Sequence, residues 1–170
     1  MNQFSSGGGR GGYRGNRRDE RGGGPGGGRN ALESVAQHWP DYLKDGYFGA
    51  DGNLKIEYVS RERVELLAQK MATLTVHQIR RYFGHCRAIE TRLKSGGVSW
   101  AAVWPEVRKL DVAAADGAAK QPRKIPDIFH DFIRRNVDAI KTEKDFLRGF
   151  LPHFEALVGF GQAYFKRERS

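Results

Sequence analysis

Five histidines and one cysteine are the side chains with the chemistry to hold a metal or to attack a substrate, and their spacing argues against both uses. His77 and His85 lie eight positions apart with Arg81 midway between them. A helical metal pair prefers i, i+4, and a guanidinium at the midpoint repels a cation. His85 and Cys86 are adjacent, so on a helix they point in different directions. His38, His130 and His153 are better read as packed or surface histidines than as ligands. Cys86 has no second thiol to pair with, which fits a reducing cytoplasm. Asp51-Gly52-Asn53 lacks the alternating carboxylates of a calcium loop. The glycine clusters near the N-terminus follow no strand, and no Gly-Lys-Ser/Thr element exists to cradle a phosphate. No nucleophile–base pair, carboxylate pair or metal set has convincing spacing, so the expectation is a non-enzyme without cofactor or metal.

Basic residues carry a stronger signal. The chain of 170 residues has 29 Lys and Arg against 20 Asp and Glu, a formal charge of +9. That surplus favours a polyanionic partner, nucleic acid or an anionic membrane, without choosing between them. Arg80 and Arg87, seven residues apart, fall on one side of a helix, flanked by Arg81, His85 and Arg92. Such a face can follow a phosphate backbone without reading bases. It can equally be a solvated face with internal pairs such as Arg87–Glu90, and spacing leaves both open.

The elements that must position these residues are helical. Ala31 to Trp39 is expected to form a short helix stopped by Pro40. Asp45 to Leu54 is rich in Gly, Asp and Asn and reads as a turn-rich connection. A helix from Ser60, its expected N-cap, to Ala72 aligns Val64, Leu67, Ala68 and Met71. Thr75-Val76-His77-Gln78 is a capping box that opens a helix to Leu93, ended by Gly96-Gly97. Ile79, Tyr82, Phe83, Cys86, Ile89 and Leu93 share its apolar face. A third helix begins near Ser99, carries Trp100, Val103, Trp104, Val107 and Leu110, and tolerates Pro105 near its first turn. Pro122 to Pro126 is a linker. The fourth helix gathers Ile128, Phe129, Phe132, Ile133 and Ile140, with Asn136 inside that apolar face and therefore expected to be hydrogen-bonded. A last helix opens at Thr142-Glu143-Lys144-Asp145 and runs through Phe165, with Lys166 outward and Pro152 bending its outer side. No alternating pattern competes, so the fold class is all-α, a compact bundle of about five helices.

Residues 1–29 differ in kind. They hold Arg10, Arg14, Arg17, Arg18, Arg21 and Arg29 among glycines, with almost no aliphatic side chains. Too little apolar area is present to offset chain entropy, so a disordered Gly/Arg-rich tail is expected before a globular domain over 30–170. Such a tail binds RNA through charge, with Tyr13 able to stack on bases, or it is only solubilising. No apolar run approaches the roughly 20 residues of a membrane span, and no signal-peptide core opens the chain.

The order GYF…DGNLKIEYV, LTVHQIRRYFGHCRAIE, KIPDIFHDFI and DFLRGFLPHFEALVGFGQAYF resembles the small helical subunit of type III-A CRISPR effectors, the Csm complex. The most specific stretch is Leu74 to Glu90, and the resemblance spans roughly Asp45 to Phe165. It implies a helical protein without enzymatic activity, stacked in several copies beside the subunits that carry the guide RNA. It implies guide RNA, target RNA, backbone and large subunits and further copies of itself as partners, in antiviral defence in the cytoplasm. The residues matching the family's basic motif are Arg80 and Arg81; Arg87, Lys55 and Lys124 are added from charge and placement. The tail and Pro152 depart from the family pattern. The competing expectations are a stand-alone RNA-binding protein that works through its tail, and a protein–protein adaptor.

Overall fold

The computed structural model describes residues 32–168. Five α-helices carry this part of the chain: α1 Arg61–Lys70, α2 Val76–Lys94, α3 Trp100–Ala119, α4 Asp127–Ala139 and α5 Leu151–Gly161. Among the described residues the extended contacts are two isolated bridges, Phe48 with Leu54 and Thr75 with Lys166. The all-α expectation holds. The tail over 1–29 lies outside the described residues.

Both ends of α2 and the start of α3 have local causes. At the start of α2 the Gln78 amide donates to Thr75 Oγ1 at 3.1 Å, and the Thr75 amide donates to Gln78 Oε1 at 2.9 Å. At its end Gly96 takes φ +72°, a left-handed value that glycine adopts without strain, and its amide closes on the Leu93 carbonyl. Ser99 caps α3 through its hydroxyl, and the helix runs unbroken through Pro105. Ser60 occupies the N-cap position of α1, but its hydroxyl donates to the Glu57 carbonyl and caps no helix amide.

Two expected helices differ from what forms. In place of a helix over Ala31–Trp39 there is a single 3-10 turn, Val35–Gln37. The Val35 amide donates at 2.9 Å to the Asp131 carboxylate of α4, a tertiary partner that sequence spacing does not reveal. The last helix opens at Thr142 and Asp145 with reciprocal bonds, but Asp145–Phe150 is a π-helical stretch leading directly into α5. Pro152 is half-buried at the start of α5 rather than on an outer bend. It has no amide to return to residue 148, and the wider turn before it accommodates that missing donor. The same stretch brings Gly149 so close to Tyr47 that a Cβ there would lie 2.5 Å from the ring. After Gly161 the chain leaves the helix, and Lys166 bridges back. Its carbonyl accepts from the Val76 amide at 2.9 Å, filling one of the donors that the start of α2 leaves open.

The core is aromatic. Phe132, Phe154, Phe150 and Phe146 pass contact from ring to ring at 5.4–6.1 Å, joining α4 to α5 and the π-helical stretch. Pairs of this kind add about 0.5–1.5 kcal/mol each beyond the area they bury. A polar line crosses this core. Tyr47 donates to Asn136 Oδ1 at 2.8 Å, and Asn136 Nδ2 donates to the Tyr42 hydroxyl at 2.7 Å and to the Phe132 carbonyl at 2.8 Å. Tyr42 then donates to His153 Nε2 at 2.6 Å, and His153 Nδ1 donates to the Tyr58 carbonyl at 2.6 Å. Asn136 is hydrogen-bonded within the apolar face, as expected. Burial pushes His153 down to about 4, so it is neutral and one tautomer serves both bonds. Burial also lifts the hydroxyls of Tyr42 and Tyr47 well above their usual range.

Candidate nucleic-acid interface

The candidate interface begins at the opening of α2. Successive helical residues are about 100° apart, so the neighbours Arg80 and Arg81 face different ways. Arg81 faces a cleft of about 590 Å³ between α2 and α3. Arg80 faces a shallower hollow of about 440 Å³, which Gln162, Arg167 and the carboxylate-bearing Glu168 of the returning C-terminal segment complete. His77 stands on the ridge and lines both.

The larger cleft exists because α3 packs chiefly on α4 and only lightly on α2. The connection after α3 closes one end of it. The amides of Lys124 and Ile125 return to the Gly117 carbonyl, and Gln78 Nε2 holds the Lys124 carbonyl at 2.7 Å. Gln78 thus does two jobs, capping α2 with its oxygen and fixing the cleft wall with its nitrogen. Arg81, Lys109, Lys120 and Lys124 line the cleft against one carboxylate, Asp116, which pairs with Lys120 at 2.6 Å. Among the described residues no carboxylate pairs with Arg80, Arg81, Lys109 or Lys124.

Farther along α2 the charge is neutralised. Glu90 sits between Arg87 and Lys94, at 2.6 Å from each. Arg92 clasps Glu106 of α3 with both carboxylate oxygens within 2.9 Å, and this guanidinium holds the Glu106 carboxyl below its usual range. Cys86 is buried, and burial pushes its thiol up to about 12, so it is no nucleophile. Among the described residues, no three of His, Cys, Asp and Glu gather where a metal would bind, and no helix is long and apolar enough to cross a membrane.

Residues 56–167 match the family model described as Csm2 Type III-A. The chain belongs to that family. It is therefore the small, non-catalytic subunit of a type III-A CRISPR effector complex, an RNA-binding part of the Csm assembly that carries the guide RNA. No curated protein and no solved structure matches the chain.

Of the residues singled out in this small subunit from sequence, the fold brings Arg81 and Lys124 into one cleft, with Arg80 on the adjoining hollow. Arg87 lies on the neutralised half of α2, its guanidinium also over the Phe83 ring at 5.9 Å. Lys55 lies elsewhere. Its ammonium donates to the Asp45 and Gly46 carbonyls at 3.4 and 3.3 Å and fastens the turn-rich connection. Lys109 and Lys120 were not singled out from sequence. They fall with Ala113 and Asp116 on one stripe of α3, a periodicity visible in the sequence, but the helix that this stripe faces is a tertiary fact.

Proposed function

We propose that this subunit grips the guide–target RNA duplex by its phosphates along the opening half of α2, with Arg80, Arg81 and Lys124 as the principal contacts. Arg87 and Lys55 have secondary roles, Arg87 once Glu90 yields and Lys55 by holding the 45–54 turn. The observation that carries this reading is the contrast along one helix: the cations near Thr75 are unpaired, while those near Leu93 are engaged by Glu90 and Glu106. Unpaired cations release counterions when they meet phosphate; paired ones must first give up a partner.

One copy makes only a few phosphate contacts, so its own affinity is weak and salt-dependent. Several copies stacked head to tail along the duplex, beside the backbone and large subunits, multiply those contacts through tethering. Contact with the backbone alone suits a protein that must accept any guide, because base pairing supplies the sequence specificity. This work takes place in the cytoplasm, in defence against invading nucleic acid.

The test is salt-dependent RNA binding by the full chain, by Arg80→Ala/Arg81→Ala and by a chain lacking 1–29. The double substitution is expected to lower the slope of log affinity against log salt by about two, with a loss on the order of tenfold. A chain that keeps its slope after the double substitution and loses RNA only with residues 1–29 would instead work through its tail.

A further inference from the structure

A duplex held by its phosphates leaves part of the α2–α3 cleft unused. Beneath the cationic rim the cleft has an apolar floor made by Leu110, Ala113, Gly117 and Ile125. Gly117 lets the closing connection lie directly on α3, where an added Cβ would meet Ile125 at 3.1 Å. Tyr82 forms the facing wall, and its ring is held edge-on to Phe129 at 5.1 Å. Phosphates lie on the outside of a helix with the bases stacked within, so a paired strand crossing the rim touches cations and leaves this floor wet. The volume, near 590 Å³, falls within the roughly 300–1,000 Å³ of small-ligand sites, and an apolar interior with a few convergent charges is their usual chemistry.

We propose that this cleft takes one unpaired RNA nucleotide, its base on the apolar floor against Tyr82 and its flanking phosphates on Arg81 and Lys124. The inference rests on the α2 interface proposed above and adds to it a preference for a strand with one base out of the stack. Charge complementarity favours this occupant: four cations and one already paired carboxylate surround an apolar surface of a size to hold a base. Burying a base face against an aromatic wall is tolerant of sequence, as a subunit that accepts any guide requires.

The experiment compares the full chain bound to a fully paired RNA duplex and to the same duplex with a single bulged 2-aminopurine nucleotide. Phe4→Ala/Tyr13→Ala in the full chain removes the aromatic side chains of residues 1–29, which could themselves stack on an unpaired base, and the preference is expected to persist. The bulged duplex is expected to bind at least about fivefold tighter, with quenched 2-aminopurine fluorescence. Ala113→Trp fills the floor from an exposed helix position without changing charge, and is expected to abolish that preference while the paired duplex stays within about twofold. Adenosine 5′-monophosphate is expected to compete only at far higher concentration, since it lacks the flanking phosphates. Equal affinity for the two duplexes, or unchanged fluorescence in the unaltered protein, overturns the nucleotide site and leaves the phosphate interface standing. So does competition by the free nucleotide at concentrations matching the RNA. Absence of salt-sensitive binding to either duplex overturns both. The fluorescence reading requires no variant, so a misfolded Ala113→Trp does not leave the inference unjudged.

Discussion

The polar groups inside this molecule and the charged groups on its α2–α3 rim follow opposite rules. Inside, Tyr47, Asn136, Tyr42, His153 and the Tyr58 carbonyl form an unbroken line of hydrogen bonds, and among the described residues no buried side-chain polar atom lacks a partner. On the rim, among the described residues, Arg80, Arg81, Lys109 and Lys124 form no ion pair, although Asp116 lines the same cleft and Glu168 the adjoining hollow. The reason is the solvent. An unpaired polar group in the core costs about 1–3 kcal/mol, whereas an exposed cation is paired by water and is free to exchange water for phosphate. A full set of partners marks the parts that make the fold, and the unpaired cations of the rim are the groups that the proposed interface uses.

Asn136→Ala attacks the interior side of this contrast most directly. It strips Tyr42 and Tyr47 of a partner at once and removes buried volume, so a stability loss of roughly 3 kcal/mol or more is expected in urea unfolding. RNA affinity of the protein that remains folded should be unchanged, which separates interior from rim.

Acid provides a milder probe of the same line. His153 titrates at about 4 in the folded chain against 6.5 when unfolded, so between these values only the unfolded chain takes up the proton. Stability contributed by neutral His153 is therefore fully present above about pH 6.5, is lost as pH falls towards 4, and levels off below. The total is about 3 kcal/mol, measured as the urea midpoint against pH. His153→Gln keeps one donor and one acceptor and should flatten that part of the profile.

Gln78→Ala tests the junction of the two regions, because this side chain both caps α2 and holds the Lys124 carbonyl. A loss of roughly 1–2 kcal/mol in stability is expected, together with weaker RNA binding as the cleft wall loosens. The smallest change sharpens the contrast by turning paired cations into unpaired ones. Glu90→Gln frees Arg87 and Lys94, and should raise the salt slope of RNA binding by about one and tighten binding a few-fold. Glu90 is itself buried although Arg87 and Lys94 are exposed, so the stability cost should be about 1–2 kcal/mol.

Much of the helical plan was legible because its causes are local. The Thr75–Gln78 capping box, the Gly96 terminus and the apolar stripe from Ile79 to Leu93 depend on residues within a few turns of one another. The need for a partner at Asn136 was also readable, since a buried amide must be satisfied, but Tyr42 and Tyr47 as its partners were not. The failures have the same origin. The 3-10 turn at Val35–Gln37 is held by Asp131, and the early end of α5 at Gly161 goes with a return bridge to Val76. In both, a contact distant in sequence outweighs local propensity.

The candidate site divides in the same way. Sequence alone determined that α2 is a helix carrying many cations, that the chain has no evident catalytic constellation, and that Leu74 to Glu90 resembles the small-subunit family. These follow from residue type and periodicity, which the chain carries in itself. Only the tertiary structure decided which cations are free: it set Glu106 beside Arg92, brought Lys109, Lys120 and Lys124 to Arg81, and left Lys55 holding a turn. Charge is a property of a residue, but whether that charge is spent on the protein or kept for a partner depends on what the fold places within a few ångströms of it.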